Sequence, residues 1–240
     1  MKKNVIVLTN GLAGSSVLTG LLSRGGYWLG DKTFSKEDYN TYENNELVEL
    51  NKRIFASANY NGNYEMIFEP GDISFFSDAR KTVDPEPYKV FLDKCNANTP
   101  WLWKDPRLWL TIHYWVDLLD LDNIDFVLLT REPLQTWIST TIRRQIQTPA
   151  YCKNYMYGIR DSIREFLGSH DKTYLELVYE ELILQPENTI AALNSHLGCE
   201  LQLEDLQSVF SGQLGKRQRG AGDFLKASAI YLKNYSQRYR

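Results

Sequence analysis

The sequence is poor in the groups that usually announce a chemistry. Of 240 residues only three are cysteine and three are histidine. Cys95, Cys152 and Cys199 are odd in number and widely spaced. That argues against a disulfide framework or a zinc site and points to a reducing, cytoplasmic setting. No apolar run reaches the length of a membrane span, so no integral span is expected. The start, "MKKNVIVLTNG", carries two lysines, but its apolar run is too short for a secretory signal core and no small-residue cleavage site follows. Internal repeats, low-complexity tracts and Pro/Gly linkers are all missing. A net charge of −3 offers no bulk attraction for nucleic acid. What remains is ordinary: 43% hydrophobic and 24% charged residues, in a length that suits one domain with a sizeable core.

The charge is unevenly spread. Asp31 to Glu49 holds six acids and two lysines, whereas Gly212 to the end holds seven basic residues against Asp223 alone. A basic tail on an acidic chain indicates either a local anion site or a solvated terminus. For Lys233 to Arg240 the solvated terminus is the expectation.

Hydrophobic patterning sets the architecture. "VIVLT" and "IDFVLLT" are continuous apolar runs, as in strands buried on both faces. "SSVLTGLLSRGG" has helical spacing and ends in a Gly25–Gly26 stop signal. "EPLQTWISTTIRR" predicts a helix with Pro133 in its first turn, and "QPENTIAALNSHLG" one bounded by Pro186 and Gly198. "KTYLELVYEEL" predicts a third strand running into a helix. Strands alternating with helices predict an α/β fold, a three-layer sandwich with a central parallel sheet flanked by helices. Residues 1–240 are expected to form one domain. Residues 59–100, rich in Asn, Gly, Asp and Pro, are expected as an insertion over the strand ends.

Between the first strand and helix lies "GLAGSS". Small residues there let backbone N–H groups approach a phosphate, helped by the helix dipole. No lysine follows Gly14, so the loop fails the phosphate-loop pattern of kinases. Alone, it is equally a phosphate cradle or a tight turn. Two further segments bear on that choice. In "WLWKDPRLWLTIHYW", Lys104, Asp105 and Arg107 stand just past a predicted strand; a strand-end ion pair is the plainer reading. In "FVLLTREPLQTWISTTIRR", Arg131 leaves a strand end and Ser139 lies two helical turns on. Ligands of open α/β sheets sit outside the carboxyl ends of strands, so Gly14, Lys104 and Arg131 can converge on one site.

Strand–"GSS"–helix, "KDPR", "FVLLTREPLQTWIS" and "LELVYEELILQPENTIAALNSHLG", in that order, resemble the sulfotransferases that use 3'-phosphoadenosine 5'-phosphosulfate (PAPS), in particular the bacterial and carbohydrate-type branch. The resemblance implies a P-loop-like sandwich, PAPS as co-substrate, adenosine 3',5'-bisphosphate as product, and no metal. It implies a small-molecule or glycan acceptor. It makes Gly11, Leu12, Ala13, Gly14, Ser15 and Ser16 the 5'-phosphosulfate loop, and Arg131 with Ser139 the pair on the 3'-phosphate. Lys104 matches the lysine at the transferred group. "GKRQRGAGD" is loosely similar to the late basic-glycine segment, with Lys216, Arg217 and Arg219 as candidates.

Two departures stand out. Family loops usually carry Lys or Arg where this chain has Leu12, which either impairs catalysis or moves the charge to Lys104 and Arg107. Where steroid-type members place a histidine base, this chain has Pro106. The carbohydrate branch uses a glutamate, and "YNTYENNELVELN" offers Glu43, Glu46 and Glu49, with Glu43 at the best-matching position; the plainer reading of Glu43 is a helix-start residue favouring the dipole. Asp31 is a weaker candidate, and Asp105 is expected to orient Lys104 or Arg107. His113 is expected in the core, His170 in a turn and His196 near a helix end. Trp103 and Tyr42 are candidates to stack on adenine or line the acceptor cleft. A P-loop kinase and a non-catalytic nucleotide-binding relative are the alternatives.

Overall fold

The strand β1 (Asn4–Thr9) is buried along its whole length, with Ile6 and Leu8 on one face and Val5 and Val7 on the other. Such a strand needs cover on both sides, and the rest of the chain supplies it. The structure, a computed structural model, describes residues 2–35, 40–216 and 219–239.

After β1 come α1 (Ser15–Ser23), β2 (Thr33–Ser35) and β3 (Asn40–Asn44), the last two pairing antiparallel with Phe34 opposite Glu43. Helix α2 (Asn45–Ser57) starts at Asn44, whose side-chain oxygen accepts from the Glu46 N–H at 2.9 Å; a cap of this kind is worth about 1 kcal/mol. Two helices follow, α3 (Asp72–Ala79) and α4 (Glu86–Ala97), then β4 (Leu102–Lys104) and α5 (Leu108–Trp115). The remainder is β5 (Ile124–Thr130), α6 (Pro133–Ile142), α7 (Pro149–Ser169), β6 (Tyr174–Val178), α8 (Tyr179–Leu184), α9 (Pro186–Leu197), α10 (Leu203–Val209) and α11 (Ala221–Lys233).

The main sheet is parallel in the order β4–β1–β5–β6, with Val7 beside Lys104, Thr9 beside Leu129 and Thr130 beside Val178. One face packs Ile6, Leu8, Trp101, Trp103, Phe126 and Leu128 against α2, α4, α5, α6 and α7. The other packs Val5, Val7, Leu102, Val127 and Leu129 against α1, α8, α9 and α10. The expected three layers therefore form around a parallel sheet. Trp103 stacks between Trp101, 4.6 Å between ring centroids, and Phe91 of α4, 5.5 Å. This aromatic stack anchors β4, so the next residue, Lys104, leaves the strand from a fixed point.

The turn from β1 into α1 is tightly constrained. Gly14 caps α1 at φ 77°, and a Cβ there would stand 2.4 Å from the Tyr179 ring. Both the left-handed backbone and the ring demand glycine. Gly14→Ala is expected to cost about 1–3 kcal/mol, seen as a lower urea midpoint. Adding Tyr179→Ala removes the ring but not the backbone strain and should recover only part of the loss.

His113 lies on α5 edge-on to Phe166, at 5.1 Å, and its Nε2 meets no partner among the described residues. It is partly buried beside the core rather than within it, and its Nε2 is unsatisfied among the described residues. Burial, with Arg80 and His170 nearby, pushes its imidazole down from 6.5 to about 4. Between those values the unfolded chain takes up a proton that the folded chain refuses. Stability from this residue is therefore full above about pH 6.5 and falls as pH drops towards 4, by up to about 3 kcal/mol. Unfolding midpoints measured across that window should fall in the wild type and fall less steeply in His113→Phe.

Candidate functional site

The carboxyl ends of β4, β1 and β5 lie side by side, and each carries residues of the candidate site. From β1 comes the loop Gly11–Gly14. Thr9 Oγ1 donates to the Leu129 carbonyl at 2.9 Å and Asn10 Nδ2 to the Gly11 carbonyl at 2.9 Å, which holds the loop's entry. Leu12, at φ 69°, and Gly14, at φ 77°, are both left-handed. No side chain caps α1, so the N–H groups of its first turn, at Ser15 and Ser16, are offered towards the strand ends.

From β4 comes Lys104. Its side chain is 1% exposed, and Nζ donates to Glu43 Oε1 at 2.6 Å. Glu43 does not open a helix. It is the penultimate residue of β3, one position before the cap Asn44, so the hairpin rather than a helix dipole determines where it stands. The two residues are 61 positions apart and share one buried contact.

Arg107 follows at the start of α5. Asp105, fully buried, accepts from its backbone N–H at 2.9 Å and from Nη1 at 2.8 Å. The second oxygen of Asp105 accepts from Asn51 Nδ2 at 2.9 Å, and Asn51 Oδ1 accepts from Trp115 Nε1 at 2.8 Å. Asp105 thus serves Arg107, one of the two partners expected for it. The Arg107 guanidinium also lies 5.2 Å from the centroid of the Tyr64 ring. Burial raises the Tyr64 hydroxyl above its ordinary 10, so it stays a neutral donor at neutral pH.

From β5 comes Arg131. Nε donates to Glu180 Oε1 at 3.2 Å and Nη1 to the Leu12 carbonyl at 3.1 Å, while the Tyr179 ring lies 5.2 Å from the guanidinium carbon. Glu180 Oε2 takes the N–H of Glu132 at 2.8 Å, so this buried carboxylate ties the β5–α6 turn to α8. Ser139 is buried on α6 one turn beyond Gln135, whose Nε2 donates to the Arg219 carbonyl at 3.3 Å. Arg219 pairs with Asp223 at 3.4 Å. Lys216 is exposed, next to Gly215, whose N–H bonds the Ile183 carbonyl at 2.8 Å. Arg217 lies outside the described residues.

Residues 60–68 close over these parts. Glu65 lies 3.8 Å from where a Gly11 side chain would begin, and the Tyr155 hydroxyl donates to the Tyr64 carbonyl at 3.2 Å. The expected roles of Trp103 and Tyr42 do not match their surroundings. Trp103 is locked in the core stack, and the Tyr42 ring packs on Gly20 of α1 and near Val209. Sequence reasoning missed Glu180, Gln135, Asn51 and Tyr64. Glu180 sits within "YEEL", and a buried acid following a strand end was the available signal.

No family model matches the sequence, and no curated protein matches it. The likeness is structural. The sulfotransferase domain of the Synechococcus PCC 7002 olefin synthase superimposes with a TM-score of 0.50 at 18% identity, over 94% of this chain and 84% of that one. The sulfotransferase domain from the curacin biosynthetic pathway (TM-score 0.49, 15% identity, 93% of this chain and 82% of that one) and a sulfotransferase from Alicyclobacillus acidocaldarius (0.47, 11%, 99% and 94%) also align, at scores too low to carry an argument. The chain has a sulfotransferase-like fold: a four-stranded parallel sheet between helical layers, with the loop–helix turn following its second-ranked strand.

Proposed function

We propose that this chain is a sulfotransferase that moves a sulfuryl group from PAPS to a hydroxyl of a carbohydrate, lipid or small metabolite, releasing adenosine 3',5'-bisphosphate. The observation that carries the reading is the buried contact between Glu43 and Lys104, on two strands that both pack against α1, with Lys104 beside Val7 of β1. It sets a carboxylate able to take a proton and an ammonium able to meet developing negative charge in one place.

The roles follow from chemistry. Glu43 accepts the proton of the acceptor hydroxyl as its oxygen bonds to sulfur. The bond from sulfur to the bridging phosphate oxygen breaks, and its electron pair stays on the phosphate. Lys104 and Arg107 stabilise that charge, supplying what the loop lacks at Leu12. Gly11, Leu12, Ala13, Gly14, Ser15 and Ser16 hold the 5'-phosphosulfate through backbone and hydroxyl donors. Arg131 and Ser139, with Lys216, Arg217 and Arg219, hold the 3'-phosphate; the bond between Gln135 and the Arg219 backbone supports bringing that segment to α6. With this many cationic side chains the reaction needs no metal. We take residues 1–240 as one domain and residues 59–100 as the border of the acceptor cleft, supported by Glu65 against Gly11 and Tyr64 against Arg107.

Thermal shift separates this reading from its rivals. Adenosine 3',5'-bisphosphate at a hundred times its dissociation constant should stabilise the fold by about 2.7 kcal/mol. Stabilisation by ATP with magnesium alone would overturn the proposal in favour of a kinase-like phosphotransferase, and nucleotide binding without transfer to any hydroxyl would make the chain a non-catalytic relative. Glu43→Gln should lower kcat by about 10²–10⁴-fold while nucleotide affinity holds within a few-fold. The same substitution leaves Lys104 without its carboxylate, so the urea midpoint should fall as well. Full turnover in Glu43→Gln would remove the base assignment.

A further inference from the structure

Resting on the reading of Gly11–Ser16 as the 5'-phosphosulfate loop, we infer that Arg131, aimed by Glu180, is also the brace of that loop. One guanidinium then couples the two anionic ends of the cofactor.

Three contacts carry the inference. Arg131 Nη1 donates to the Leu12 carbonyl at 3.1 Å, so its hydrogen bond goes into the loop itself. Its Nε is held by Glu180 Oε1 at 3.2 Å, and the other oxygen of Glu180 takes the Glu132 N–H at 2.8 Å. With both side chains buried, the direction of the guanidinium is set before any ligand arrives.

The loop conformation requires such a brace. Leu12, at φ 69°, is a branched residue held left-handed, where only glycine rests easily. Its carbonyl is the atom that Arg131 grips. A trans peptide directs C=O and N–H to opposite sides, so drawing the Leu12 carbonyl towards Arg131 turns the Ala13 N–H the other way. Among the described residues no acceptor takes that N–H. The second left-handed residue, Gly14, is filled by the ring of Tyr179, the neighbour of Glu180, and that ring also lies 5.2 Å from the Arg131 guanidinium carbon. Tyr179 and Glu180 thus hold both the loop and the cation that braces it. Arg131 is a positioning residue for the 5' end, whatever it contacts at the 3' end.

Two nucleotides test this: adenosine 3',5'-bisphosphate, and adenosine 5'-phosphosulfate, which lacks the 3'-phosphate. Calorimetric titration of Arg131→Ala should show about tenfold or greater weakening for both. Ser139→Ala should weaken only the first. Arg131→Lys keeps the charge but not the fork, so it should recover part of the affinity for the bisphosphate and little for the 5'-phosphosulfate. Glu180→Gln should weaken the 5'-phosphosulfate by a smaller factor than Arg131→Ala. If Arg131→Ala binds the 5'-phosphosulfate within twofold of wild type, the brace is overturned and the sulfotransferase reading stands. Should the wild type bind neither nucleotide, the sulfotransferase reading falls, and the brace is judged by hydrogen exchange. Amides of residues 11–16 should exchange about tenfold faster in Arg131→Ala and faster in Glu180→Gln, with the sheet amides of β1 and β5 unchanged. Unchanged loop exchange overturns it.

Discussion

Three cations at the ends of parallel strands cannot be left in a dry interior alone, and each is matched to its own carboxylate: Lys104 to Glu43, Arg107 to Asp105, Arg131 to Glu180. A buried unpaired charge costs far more than the pair returns, so none of the six is dispensable once its partner is present. The carboxylates come from different places: a hairpin strand, the residue after β4, and the start of α8. Each pair therefore also fastens a connection to the sheet. Pairing does not exhaust the two arginines, because a guanidinium has five N–H donors and each carboxylate here takes one of them. Under the proposed function, an incoming anion adds bonds to Arg107 and Arg131 without first breaking the ones that place them.

The sheet and its helices were legible where local signals are strong. Continuous apolar runs marked β1 and β5, while Pro133, Pro186 and Gly198 punctuated α6 and α9. The long α7 was not predicted from the sequence, although Thr148 caps it and Cys152, Tyr155, Met156, Ile159, Ile163 and Phe166 repeat at helical spacing as its buried stripe. Between 59 and 100 the turn-forming residues masked α4, whose Tyr88, Phe91, Leu92 and Cys95 repeat at helical spacing and enter the core. At the site, Lys104, Arg107 and Arg131 could be named because strand ends collect ligands. Their pairings could not, apart from that of Asp105, two residues from Arg107: Glu43 was named as a base candidate but not as the partner of Lys104, and Glu180 was not named at all. Glu43 lies 61 residues from Lys104 and Glu180 lies 49 from Arg131. Separations of that size carry no periodicity to read; the packing of the β3 hairpin on β4 closes the first, and the pairing of β5 with β6, which sets Thr130 beside Val178, closes the second.

The missing cation at Leu12 makes sense in these terms. A loop lysine carries its charge on a flexible stem and costs side-chain entropy when it is ordered. Under the proposed function the charge arrives on side chains rooted in the sheet, and the loop contributes backbone N–H groups and the Ser15 and Ser16 hydroxyls. That division lets the loop stay small enough for Gly14 to press against Tyr179 and for the Leu12 carbonyl to reach Arg131. It also makes the loop dependent on the whole fold. A phosphate loop with its own lysine holds part of its affinity locally, but "GLAGSS" has neither charge nor a side-chain cap, and its left-handed turns are supported from β5 and α8. Under the proposed function, anion affinity is a property of three neighbouring strand ends held in register. Anything that loosens β5 or α8 should reach the loop before it reaches the core.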